Sequence, residues 1–182
     1  SFRTHRLTRI GPARMAFKPT RGAMAFYAVF LVIGVGLLVG FTVTMGFPST
    51  GSSTIRMTLP ILIGVVFTVA GAGMLYTGAA PIVFDVHRGE FWKGRMAPWE
   101  ARSAGELDSH TPLERVHALQ IISERVSSDD GSYYSYELNL VLDDGSRLNV
   151  VDHGNLDELR ADASTLADFI DRPIWDATEH GG

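Results

Sequence analysis

The sequence predicts a membrane helical hairpin of two spans carrying an α+β domain, with an antiparallel sheet of about five strands and one C-terminal amphipathic helix. Three observations lead there. Two long apolar segments, 23–47 and 57–81, carry no Asp, Glu, Lys, Arg or His. Every one of the 20 acidic residues lies at or beyond Asp85. From there on, apolar residues alternate with polar ones at strand spacing and then switch to helix spacing.

Residues 1–22 hold Arg3, Arg6, Arg9, Arg14, Lys18 and Arg21 and no acid. They read as a basic cytoplasmic arm. Segment 23–47 is long enough for a hydrocarbon core of about 30 Å at about 1.5 Å per helical residue. It is also longer than the apolar part of a secretory signal, roughly 7–15 residues, so a permanent anchor is expected. The connection 48–56, PSTGSSTIR, is short and polar and reads as an external turn. In the second span Pro60 suits a first helical turn and Pro81 a helix end. Basic residues flank the outer ends of both spans, while only Arg56 lies near the turn. The positive-inside rule therefore places both termini in the cytoplasm, and a bacterial inner membrane is the expected location. Residues 23–84 are thus the hairpin, 85–176 a cytoplasmic domain and 177–182 a tail.

The glycines of the spans form two stripes. Gly36 and Gly40 stand four apart on the first, while Gly64, Gly71 and Gly78 repeat every seven on the second. Small residues at such spacing let helix backbones approach closely, so these five are the candidate packing and partner-interface residues. One stripe can serve the contact between the two spans, leaving the other for integral membrane partners.

Beyond Pro81, IVFDVH and EFWKGR flank Arg88-Gly89 as a β-hairpin. Phe91, Trp92, Lys93, Arg95 and Trp99 mix aromatic and basic groups just after a span, a composition suited to the headgroup interface. Residues 96–112 lack any period and read as a long loop. Residues 113–126 suit a strand, with a helix as competitor. Tyr134, Tyr136, Leu138, Leu140 and Leu142 alternate with polar residues, predicting a half-buried strand with these five inward and Tyr133, Glu137 and Asn139 outward. Asp144-Gly145 turns the chain into a further strand at 147–152. Asn155 is the expected N-cap of a helix whose apolar face is Leu156, Leu159, Ala163, Leu166 and Ile170, ended by Pro173.

The order of strands, hairpins and a final helix, with FDVHRGEFWKGR and YELNLVLDDGSRLNVVDHG, resembles uncharacterised bacterial two-span membrane proteins with a pleckstrin-homology-like cytoplasmic domain. The resemblance covers residues 82–175. It implies scaffolding, assembly or lipid-proximal binding and supplies no catalytic residues.

Chemistry-bearing patterns are sparse. There is no cysteine, which removes disulfides, thiolate metal sites and cysteine nucleophiles. His87, His117 and His153 lack ligand spacing, and Asp152-His153-Gly154-Asn155 reads as a strand end, a turn and a cap. No serine has a nucleophile-elbow setting and no phosphate-binding loop is present. The spans lack the ionisable groups of pumps and ion paths. No cofactor, metal, nucleic acid or small-molecule substrate is expected. The expected function is a non-enzymatic accessory or scaffold subunit, or assembly factor, of a larger inner-membrane complex, respiratory, photosynthetic or similar. Its partners are integral membrane proteins and lipid headgroups. The alternative is a stand-alone membrane protein that senses a lipid or ligand.

Overall fold

The structure, a computed structural model, describes residues 4–45, 53–101, 109–128 and 131–178. Among the described residues, nine strands and three α-helices follow one another as β1 His5–Gly11, β2 Arg14–Pro19, α1 Arg21–Met45, α2 Ser53–Gly78, β3 Ile82–Asp85, β4 Glu90–Lys93, β5 Ser109–Pro112, β6 Val116–Ser128, β7 Gly131–Leu142, β8 Arg147–His153, α3 Leu156–Ile170 and β9 Ile174–Asp176. They make two compact units, the helical hairpin 21–79 and a sheet unit that includes 4–20 as well as 80–178.

The N-terminal residues correct the sequence reading. They are no arm. β1 and β2 form an antiparallel hairpin, and β2 pairs with β3 through Phe17 opposite Ile82 and Arg14 opposite Asp85. The arginines masked a weak alternation in which Leu7, Met15 and Phe17 are the apolar members. The 62 residues from 20 to 81, hairpin included, are therefore an insertion between two neighbouring strands.

Five strands form one antiparallel sheet in the order β1-β2-β3-β4-β5, and four form a second in the order β8-β7-β6-β9, with β9 parallel to β6. The hairpin at Arg88-Gly89 is present, with Gly89 at φ 69, a left-handed turn conformation that favours glycine. Residues 113–126 are a strand apart from a single 3₁₀ turn at Leu113–Arg115. The end of the expected 96–112 loop is instead β5, an edge strand on β4; residues 102–108 lie outside the described part.

One core joins the sheets and α3. Phe17, Phe84 and Phe91 from the first sheet, Leu119, Ile121, Leu138 and Leu140 from the second, and Leu159 and Leu166 from α3 are its largest wholly buried members. The opposite face of the first sheet buries Ala16, Val83 and Trp92 with Ala97. Leu138 and Leu140 face inward as their alternation predicts. Asn139 does not face water. It is buried beside a bulge that shifts the β7–β8 register after Leu138, and its amide donates to Glu137 at 3.2 Å. Tyr134 is also displaced from the core, exposed with Tyr133 near the tip of the β6–β7 hairpin.

Asn155 caps α3, its Oδ1 accepting from the Glu158 N–H at 3.2 Å. Asp171, at φ 53, ends the helix in a left-handed conformation as the Arg172 N–H returns to the Ala167 carbonyl. Pro173 then directs Ile174 to Asp176 alongside β6.

The helices α1 and α2 are long and apolar enough to cross a membrane, over Arg21–Val43 and Thr58–Gly78. Val32, Val39, Leu62, Val66 and Val69 are among many apolar side chains exposed on them. Pro60 lies inside α2, which starts at Ser53, rather than in its first turn. Of the expected external turn, residues 48–52 lie outside the described part and 53–56 belong to α2.

Candidate functional site

Within the hairpin, the glycines separate into two groups. A Cβ at Gly71 would strike the Leu31 backbone; at Gly64 it would come within 2.9 Å of Leu38 and at Gly78 within 2.7 Å of the Tyr27 ring. Gly34 is their counterpart on α1, where a Cβ would strike Thr68. The seven-residue seam is thus consumed by the contact between the two helices, aided by stacking of Phe30 on Phe67 at 5.7 Å. Gly36 and Gly40 are elsewhere: a Cβ at either meets no atom within 4 Å. Threonine hydroxyls in the hairpin donate to carbonyls four residues back, Thr42 to Leu38, Thr68 to Gly64 and Thr77 to Gly73, which keeps their polarity inside the helix.

Of the five residues assigned to the headgroup interface, two are core. Phe91 is wholly buried against Phe84 at 4.9 Å, and Trp92 is buried on the opposite face of the same strand. The inner strands β3 and β4 are covered on both faces, so one aromatic of the Phe91-Trp92 pair goes to each. Lys93 donates to Asn149 at 3.2 Å, linking the two sheets. Arg95 is exposed.

Trp99 belongs to a cluster that the sequence reading did not assemble. Asp85, 1% exposed, accepts from Arg14 Nε at 2.5 Å and from the Arg88 backbone N–H at 3.0 Å. The Arg88 guanidinium carbon lies 3.9 Å from the centroid of the Trp99 ring, that of Arg14 lies 5.7 Å away, and Trp99 meets Trp92 edge-on at 5.4 Å. Burial pushes the Asp85 carboxyl up, but the Arg88 N–H, the Arg14 hydrogen bond and its positive charge outweigh this and hold it below the usual carboxylate range. The cluster fastens β2, β3 and the residues after β4 to one another. It stands at the Arg14–Asp85 end of the β2–β3 ladder, away from Phe17 and Ile82, the pair nearest the helix connections. Its only sequence signal is the pairing of Arg14 with Asp85 across 71 positions, visible once the strands are known to be neighbours.

The histidines do not converge. Among the described residues no group of three or more His, Asp or Glu side chains is placed to hold a metal ion. His153 Nδ1 accepts from the Asn155 N–H at 2.9 Å and its Nε2 is 3.5 Å from Glu158, a turn-and-cap arrangement. His117 packs edge-on against Trp175 at 5.5 Å in a shallow groove of about 350 Å³, also lined by Gln120, Val141, Asp143 and Arg147. Asp143 is engaged by Arg115 at 3.0 Å.

No protein-family model matches the chain, and no curated protein matches it in sequence.

Proposed function

We propose that the protein is a non-enzymatic accessory or scaffold subunit, or assembly factor, of a larger bacterial inner-membrane complex. It holds a pleckstrin-homology-like domain at the cytoplasmic face. One observation carries the reading. The two helices satisfy each other through Gly34, Gly64, Gly71 and Gly78, while the Gly36 and Gly40 surface and its apolar neighbours lie outside that contact. A hairpin that only tethers needs no second close-packing surface; one that seats against another helix does. The placement of the hairpin between β2 and β3 supports a scaffold, because two strands rather than one flexible linker join domain to anchor. Two sheets closed by a C-terminal helix support the pleckstrin-homology-like reading. The basic residues at the outer ends of both spans, against Arg56 alone near the turn, support cytoplasmic termini.

The test is gentle solubilisation followed by native electrophoresis and co-purification. A complex much larger than the 19.9 kDa chain is expected. Gly36→Leu/Gly40→Leu should release the chain from it while leaving the hairpin intact. Unchanged co-purification of that variant moves recognition to the sheet unit. Migration of the wild type alone favours the alternative of a stand-alone lipid or ligand sensor, for which the His117–Trp175 groove is the supporting feature.

A further inference from the structure

We propose that Arg6 and Lys18 form a site for the phosphate of anionic phospholipid headgroups. The proposal rests on the reading of α1 as a membrane span. In the β1–β2 register Arg6 stands directly opposite Lys18, and both side chains are exposed. Residues so paired share one face of the sheet with Cβ atoms about 4.5–5.5 Å apart, and like charges there are destabilising. Three other cations of the unit have acidic partners, Arg14 with Asp85, Arg115 with Asp143 and Asp144, and Arg160 with Asp176, while Arg9 and Arg172 donate to backbone carbonyls and Arg88 lies over Trp99. The chain has 20 acidic residues to offer, yet among the described residues Arg6, Lys18 and Arg21 make no ion pair. A repulsive pair that the fold leaves without a counter-charge is matched to an anion from outside.

Its position in the chain says which anion. Lys18 precedes Arg21, the first residue of α1, by three residues, at most about 11 Å of chain. That is comparable to the headgroup layer of a leaflet, about 5–8 Å, and to the screening length of about 8 Å at physiological salt. Wherever the sheet unit turns about its connections, Lys18 stays within reach of headgroups at the start of the span, with Arg6 beside it. Arg6 offers a planar fork of N–H donors to phosphate oxygens and Lys18 a compact charge.

The test uses the full chain reconstituted into vesicles of phosphatidylcholine and phosphatidylglycerol in equal amounts. Flotation establishes integration. The chain is then re-extracted in mild detergent, and the retained lipids are counted by mass spectrometry. Wild type should retain phosphatidylglycerol over phosphatidylcholine. Each juxtamembrane cation contributes about fivefold, so Arg6→Gln/Lys18→Gln should lose most of that preference. Arg6→Lys/Lys18→Arg, which keeps both charges, and Arg125→Gln, on distant β6, should keep it. Integration without preference in wild type, or preference surviving in Arg6→Gln/Lys18→Gln, overturns the site while leaving the spans standing. Failure of wild type to float overturns the spans and the site together.

Discussion

Asp85 is the first acidic residue of the chain and among the few charged groups buried in it. Its carboxylate organises a turn N–H and a guanidinium that in turn lies over Trp99. Asp85→Asn keeps the shape but removes the charge, leaving Arg14 facing a neutral group. Because Arg14 is partly exposed, the expected loss is about 1–3 kcal/mol rather than that of a sealed pair. The sign with pH follows from the lowered carboxyl. Its contribution is complete above the ordinary Asp value of about 3.9 and vanishes as pH falls through the lower folded-state value. The melting temperature of wild type should therefore drop below about pH 4, and that of Asp85→Asn should drop less. Equal acid sensitivity in the two would remove Asp85 from the account. On the central strand, Leu140→Ala should cost about 2–5 kcal/mol. Asn139→Ala should cost about 1–3 kcal/mol by losing a buried amide, more than Glu137→Ala; denaturant titration of the solubilised chain measures all three. Leu140 was legible because alternation is a local property. Asn139 was not, because a bulge in the pairing with β8 sets its environment, and a bulge belongs to two strands at once.

Among the elements, the best-read were those whose signal is continuous. The two apolar helices, the Arg88-Gly89 hairpin and the helix from Asn155 to Pro173 each carry periodicity, turn and stop signals within one short stretch. The first hairpin was missed because its strands are short and rich in arginine, so charge outweighed alternation. The Gly11-Pro12 pair between them was the available turn signal. For the candidate site, the glycine spacings were legible. Which stripe faces the sister helix was not, since that depends on how two helices rotate against each other. The resulting prediction separates the stripes. Gly71→Leu forces a side chain into the Leu31 backbone and should lower the melting temperature of the detergent-solubilised chain by many degrees. Gly36→Leu should leave it near wild type, because nothing lies within 4 Å of its Cβ. Similar losses at both positions would reverse the assignment of faces.

For the whole molecule, the pairing of β2 with β3 ties topology to fold. If α1 and α2 both cross the membrane, residues before α1 and after α2 must emerge on one side. In this cysteine-free chain, single cysteines replacing Ile10, Ser52 and Ser132 report it directly. An impermeant thiol reagent applied to spheroplasts should label position 52 alone, and labelling of 10 and 132 instead would invert the orientation. The same pairing decides what can be isolated. A fragment beginning at Asp85 lacks β1, β2 and most of β3, with Phe17 and Phe84 of the core, and should not fold. Residues 4–19 joined to 81–178 through a short glycine–asparagine turn should give a soluble, cooperatively melting domain, since Phe17 and Ile82 already stand opposite each other.

Insertion of the hairpin between neighbouring strands also imposes a schedule on biosynthesis. β1 and β2 leave the ribosome before β3, which follows only after the 62 residues from 20 to 81. At about 5–20 residues per second, β2 waits roughly 3–12 s with one edge bare. If α1 and α2 cross a membrane, both must enter it during that interval. A nascent chain whose helices fail to enter presents an open strand edge beside unshielded apolar helices, a combination that chaperones and proteases bind. For helices that span, membrane entry then precedes the pairing of β2 with β3 and becomes a checkpoint for closure of the sheet unit.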